Sequence, residues 1–262
     1  MANENVDIVI TVLNEGKNIR NLLKSLVSQD THCGIIIVDA GSTDNTHDIL
    51  KEFESEGVRF AVRECTRGEG RNIGVSMSSA DYILFTDGDA TPAKNWASCM
   101  ISSLGRNDLV WGMTETSGSG NYASMKRVKL FYHDHEITLP SMNMGVRREM
   151  FLKVGGFDTS LITAEDIDLN IRLIRSGARA YFCGDCRVAH NARESMKGFM
   201  KQAFWNGYGR AQLKRKNREI WKEIKKDYFS IKDINFHWII RIASAVLGYM
   251  AFIIHPVISH RY

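Results

Sequence analysis

Several features expected of an extracellular or repetitive protein are missing from this chain. Cysteine occurs five times, an odd number at irregular spacing, which argues against a disulfide framework. The polar start over residues 1–7 carries no secretory signal, so a reducing, cytoplasm-facing setting is expected. No internal repeat is evident, which leaves solenoids and arrays without support. Charge and hydrophobicity are both unremarkable, with 24% charged and 44% hydrophobic residues over 262 positions. Neither a disordered chain nor a polytopic membrane protein fits that balance. The formal net charge of +4 is too small to mark a nucleic-acid partner, and none is expected.

What is present is an alternation of short apolar runs with helical patterns over the first 90 positions, the rhythm of βαβ units around a mostly parallel sheet. Residues 7–12 (DIVITV) read as the first strand. Ile19, Leu22, Leu23 and Leu26 then recur at helical spacing, residues 34–39 (GIIIVD) form a second strand, and Ile49, Leu50 and Phe53 mark a second helix. A third strand is expected over 58–62, a third helix over 71–79 opening after Gly68 and Gly70, and a fourth strand over 82–86 ending in Asp87-Gly88-Asp89. Further on, a strand over 143–147, a helix over 148–154 and a helix over 164–176 capped by Gly177 are expected, with a loop at Ser117-Gly118-Ser119-Gly120.

In open α/β sheets ligands gather at the carboxyl ends of strands. Asn14 and Glu15, Asp39, Arg71, and Asp87 with Asp89 all fall there. Two carboxylates on one tight glycine turn repel unless a cation joins them, and Mg²⁺ or Mn²⁺ favours such hard oxygens; Asp-Gly is also ordinary turn chemistry. Asp39 sits one place too early to cap the second helix, a task suited to Ser42 or Thr43. It is free to accept hydrogen bonds from a base or a ribose. Arg71, expected in a first helical turn after a glycine pair, would face an anion together with backbone N–H groups. Thr163-Ala164-Glu165-Asp166 resembles a capping box, but neighbouring helical carboxylates diverge, leaving one for general-base work. His190 follows a strand and is a candidate for a metal shell or a diphosphate. Cys183-Gly184-Asp185-Cys186 has no second pair at zinc-site spacing and reads as structural.

Taken in order, VITVLNEGKNI, IIIVDAGSTDNT, RGEGRNIG, ILFTDGDA, NMGVRREMFLKVGGFD and AEDIDLNIRL resemble the motifs of the inverting family 2 glycosyltransferases of GT-A fold. The resemblance runs from residue 6 to about 190. It implies a GT-A type Rossmann-like, mostly parallel sheet flanked by helices, and a metal-dependent transfer of a sugar from a nucleotide diphosphate. It further implies a nucleotide pocket lined by Thr11, Asn14, Glu15, Asp39, Arg71 and Asp87, a divalent cation (Mn or Mg) at Asp87, Asp89 and His190, and catalysis by the pair Glu165-Asp166, with Asp166 the base. A dinucleotide-binding enzyme and a nucleotidyltransferase would each need a glycine-rich phosphate loop after the first strand. Leu13-Asn14-Glu15-Gly16 is not one.

The last third differs in kind. Arg210, Lys214, Arg215, Lys216, Arg218, Lys222, Lys225 and Lys226 precede an apolar stretch over 238–258 broken by Arg241, His255 and Pro256. The expected division is a catalytic domain over 1–200, a basic helical segment over 201–235 and a helical, hydrophobic, membrane-associated tail over 236–262. The partners expected are a nucleotide-sugar donor, a lipid-linked or glycan acceptor and the cytoplasmic face of a membrane, with a homodimer as another use of the tail. A polyprenyl-phosphate acceptor, or a sugar-nucleotide-binding protein without catalysis, are the alternatives. Gln202, Trp205 and Arg210 are either acceptor-side residues or, as favoured for their neighbours Phe199, Ala203 and Phe204, packing.

Overall fold

A computed structural model of the chain describes residues 5–117, 128–191, 195–227 and 236–256. Of the expected loop over 117–120, Ser117 instead ends a strand and 118–120 lie outside the described residues, as do 228–235 of the expected basic segment and 257–262 of the expected tail. The first half alternates as read: β1 (Val6–Val12), α1 (Ile19–Val27), β2 (Gly34–Asp39), α2 (Thr46–Glu52), β3 (Val58–Val62), α3 (Arg67–Ser76) and β4 (Tyr82–Thr86). Each helix forms where its apolar residues share one face. In α1, Ile19, Leu22, Leu23 and Leu26 are all at most 3% exposed, each contributing about 1.5–3 kcal/mol of burial.

Then follow β5 (Ala90–Pro92), α4 (Trp96–Leu104), β6 (Leu109–Ser117), β7 (Lys129–Tyr132), β8 (His135–Glu136), β9 (Asn143–Arg147), α5 (Arg148–Lys153), α6 (Glu165–Arg175), β10 (Ala180–Asn191), α7 (Met196–Lys216), β11 (Lys225–Asp227) and α8 (Phe236–Ile254). The main sheet has the order β3-β2-β1-β4-β9-β6-β10-β5. β3, β2, β1 and β4 are parallel, β9 is antiparallel to β4 and β6, and β10 is parallel to β6. The chain steps outward from β1 through β2 to β3, then returns to the other side of β1 as β4. That reversal opens a crevice beyond the carboxyl ends of β1 and β4.

Two helix starts differ from expectation. α3 begins at Arg67, because Thr66 accepts from the Glu69 backbone while Glu69 reaches back to the Thr66 N–H, a complete capping box. Gly68 and Gly70 therefore lie inside the helix. A Cβ at Gly70 would sit 2.5 Å from the Thr11 methyl carbon, so the glycine serves close helix-to-strand approach. α2 starts at Thr46 behind Asn45, and neither Ser42 nor Thr43 caps it. Asp44 does that work instead, accepting from the Thr46 N–H at 3.0 Å and from the Gly16 N–H at 3.0 Å.

The segment expected as a basic helix over 201–235 is divided otherwise. α7 starts at Met196 on a Ser195 cap and ends at Lys216. The chain then turns back onto the core through Ile220 and Ile224, each 6% exposed, and β11 pairs antiparallel with β7. α7 and α8 pack so closely that a Cβ at Gly207 would lie 1.8 Å from the Ala245 carbonyl oxygen, and one at Gly248 1.9 Å from that of Phe204.

Candidate active site

A cavity of about 930 Å³ fills the crevice. Thr11, Val12, Leu13 and Glu15 reach it from the end of β1, Asp87, Gly88 and Asp89 from the end of β4, Arg67 and Arg71 from α3, and Glu165 and Asp166 from α6. His190 closes one side from β10, and α7 and α8 roof it with Gln202, Trp205, Arg210, Arg241 and Tyr249 among others. Phe199 and Ala203 are buried, and Gln202, Ala203, Trp205 and Arg210 line the cavity.

Arg71 organises the floor. It stands in the second turn of α3, 2% exposed, and donates through Nη2 to Asp87 Oδ1 at 2.6 Å and through Nη1 to Glu165 Oε1 at 3.5 Å. Its guanidinium also lies over the Phe157 ring, 5.3 Å from the centroid. Its Nε is buried without a partner. A buried cation is tolerable only with such partners, and removing either carboxylate would leave charge uncompensated. Burial raises the Glu165 pKa, and the charge of Asp166 adds to the rise; Arg67 and Arg71 oppose it.

Asp89 pairs with His190 Nε2 at 3.2 Å. β5 and β10 set that contact, since His190 lies opposite Ala90 in their antiparallel register. Burial alone would raise the Asp89 pKa, but the hydrogen bond and charge of His190 outweigh it and hold the carboxyl below its ordinary value. Glu15 goes the other way, raised by burial and by Asp89, Asp87 and Asp44, though its bond from Asn18 opposes the rise. Asp87, Asp89 and His190 do not form a closed shell: their ligand atoms are not all within 4.8 Å of one another. Arg71 holds one oxygen of Asp87, and His190 reaches Asp89.

The remaining candidates frame the rim. Thr11 lies at the end of β1, with its hydroxyl donating to the Arg67 carbonyl at 3.3 Å. Asn14 adopts a positive φ of 55°, and its side chain accepts from the Thr43 N–H at 2.8 Å. Asp39 is 1% exposed and accepts from the backbone N–H groups of Gly41 and Ser42 at 3.2 and 2.8 Å. Asn14 and Asp39 thus brace the loop next to the cavity, where Ala40 lines it.

The expected capping box at Thr163 does not form. Ala164 enters α6 at φ 64° with no side-chain cap, and the Thr163 hydroxyl donates to the Trp205 carbonyl at 2.8 Å instead. Glu165 turns inward to Arg71, while Asp166 faces the cavity and accepts from the Ile167 N–H at 2.8 Å. A non-glycine residue in the left-handed region at such a place is a strain that surrounding contacts must impose.

Arg67 was not singled out from the sequence, although it stands in the RGEGRNIG motif; its charge acts on both Asp89 and Glu165. Arg241 was legible only as a lone charge in an apolar stretch.

The sheet reversal gathers two strand-end carboxylates, a buried arginine and a helix-start acid pair around one cavity. The model of Glycosyl transferase family 2 matches residues 7–157. The chain belongs to that family and is a glycosyltransferase of GT-A type fold. Among its relatives is the glycosyltransferase AglE of Haloferax volcanii, 26% identical over 224 residues, covering 79% of this chain and 73% of the relative. The pre-mycofactocin glycosyltransferase of Mycobacterium tuberculosis is 25% identical over 226 residues, and the chain spans only 47% of its length. A Methanococcus voltae transferase, named for dolichyl N-acetyl-alpha-D-glucosaminyl phosphate and a diacetamido-glucuronosyl group, is 23% identical over 253 residues, covering 86% of this chain and 76% of that one. The mannosyltransferase PcManGT of Pyrobaculum calidifontis, solved with GDP-Man and Mn²⁺, superimposes with a TM-score of 0.66 at 14% identity, covering 97% of this chain and 76% of that one.

Proposed function

We propose that the chain transfers a sugar, with inversion, from a nucleoside diphosphate sugar to a hydroxyl of a lipid-linked glycan at a membrane surface. The observation that carries this is the meeting of Arg71–Asp87, Asp89–His190 and Glu165-Asp166 around one cavity. Asp87 and Asp89 offer hard, acceptor-only oxygens, with Asp89 held ionised, and that donor set suits Mg²⁺ or Mn²⁺. The cation, once bound with the diphosphate, would offset negative charge on the leaving oxygen.

The chain's own residues supply the rest. Asp166 takes the proton of the acceptor hydroxyl, whose oxygen attacks the anomeric carbon as the bond to the diphosphate breaks. The nucleoside diphosphate leaves with the bonding pair, near the positive charge of Arg67. Glu165, tied to Arg71, positions the floor and does not act as the base. Asn14 and Asp39 shape the loop against which the nucleoside rests.

The name of the Methanococcus relative and the form of α8 support the lipid acceptor. α8 is 19 residues long and apolar enough to cross a bilayer by length and composition, with 17% buried. It packs on α7 and lends Arg241, Ile242, Ala245 and Tyr249 to the cavity, while Ile239, Val246, Leu247, Ile253 and Ile254 are exposed. A helix held to the body in this way lies in the membrane interface, apolar face down. The cations of the roof favour a phosphate-bearing acceptor. Were that phosphate itself the nucleophile, Asp166 would be dispensable.

Release of nucleoside diphosphate from a panel of nucleotide sugars, with lipid-linked acceptors and with Mn²⁺ or chelator, tests the proposal. Asp89→Asn should abolish metal-dependent turnover, and Asp166→Asn should lower kcat by about 10²–10⁴-fold. Full activity in chelator removes the metal from the reaction, and near-normal turnover by Asp166→Asn supports the phosphate nucleophile.

A further inference from the structure

Cys183 and Cys186 belong to β10, where positions three apart in a regular strand would face opposite sides of the sheet. Here they do not. Cys183 pairs with Gly112 and Arg187 with its neighbour Met113, so residues 184–186 are bulged out of the ladder. The bulge leans on Gly112, where a Cβ would lie 2.1 Å from the Cys186 carbonyl oxygen, and it brings both sulfurs to the same side. α4, packed against β10, contributes a third thiol from Cys99, whose sulfur is 3.5 Å from that of Cys183. The three sulfurs all lie within 4.8 Å of one another, and among the described residues no other group of three metal-ligating side chains is so close.

Zinc–thiolate bonds near 2.3 Å in a tetrahedron place sulfurs about 3.8 Å apart, close to the 3.5 Å between Cys99 and Cys183. Plain packing of three small side chains would not need the bulge.

We propose that Cys99, Cys183 and Cys186 bind one thiophilic d¹⁰ cation of the zinc class, with solvent at the fourth position beside the half-buried Cys99. Each thiol gives up its proton as it binds. The site is separate from the hard-oxygen site at Asp87 and Asp89 and does not depend on the proposed reaction. It fastens α4 to the strand that carries His190, so its role is to hold that wall of the cavity in place.

The test uses the full chain, reduced and stripped with chelator, titrated with Co²⁺ and separately with Zn²⁺. Expected are thiolate-to-cobalt charge-transfer and tetrahedral d–d absorption, one equivalent of retained zinc, and a melting temperature that rises with zinc concentration. Asp89→Asn should bind zinc as the parent does. Cys183→Ser, and the milder Cys99→Ser on the exposed side of the cluster, should each weaken binding by at least the roughly 10–100-fold that loss of an outer-shell partner costs. Zinc retained equally by both cysteine variants, octahedral cobalt spectra, or loss of binding in Asp89→Asn alone would each overturn the proposal.

Discussion

At the scale of single residues the chain places its charges in two ways. In the cavity, Arg71 is held by Asp87 and Glu165, so each partner fixes the others. Beneath α7, Lys216 bridges Asp158 and Asp168. Burial tends to raise the Asp158 pKa, but bonds from Lys216 and Ser160 overcome it and hold the carboxyl at about 2. Because the folded value is depressed, this stability is present above the unfolded value near 4 and is lost as pH falls towards 2. Solvent screening of this partly exposed pair leaves about 1 kcal/mol. Asp158→Asn should therefore lower the urea midpoint at pH 7 and differ much less from the parent at about pH 2. An equal gap at both pH values would show that the ion pair is not the cause.

At the scale of elements, local signals carried furthest where one pattern admits one structure. The runs DIVITV, GIIIVD and YILFT have the length and burial of strands, and they became β1, β2 and β4. The start of α3 was misplaced because Gly68 and Gly70 suggest a turn, whereas the Thr66–Glu69 cap and the tight fit against Thr11 decide otherwise. Thr163 was misread for the converse reason: its hydroxyl is taken by Trp205, a partner 42 positions away that no local pattern reveals. Cys99 joins Cys183 across 84 positions, so the spacing within CGDC could not show the third thiol. The α7–α8 contact is equally tertiary. Gly207→Ala should force the helices apart at a cost of about 1–3 kcal/mol, seen as faster proteolysis at the chain between them; unchanged cleavage would refute the close approach.

For the whole molecule, the proposed reading has the donor at the strand ends and the acceptor arriving beneath the α7–α8 pair, both of which line the one cavity. If α8 lies in a lipid surface, Leu247→Glu with Ile253→Glu should move the protein from anionic vesicles to the supernatant, because a carboxylate in place of each exposed apolar side chain opposes entry into the interface. Vesicle binding as strong as the parent's would refute that placement. A homodimer through the same face would instead appear as a change of mass in solution without lipid.

α7 touches the loop before the acid pair at Thr163, Ile162 and Asp158, and it touches α8 along its length. If α8 seats on a bilayer and the cavity receives the acceptor as proposed, one helix is common to both processes. Thermodynamic linkage makes such sharing reciprocal. Whatever factor the lipid surface adds to acceptor affinity, a bound acceptor adds to the affinity of the protein for that surface, so an enzyme between substrates would leave the membrane more readily than one with its acceptor in hand.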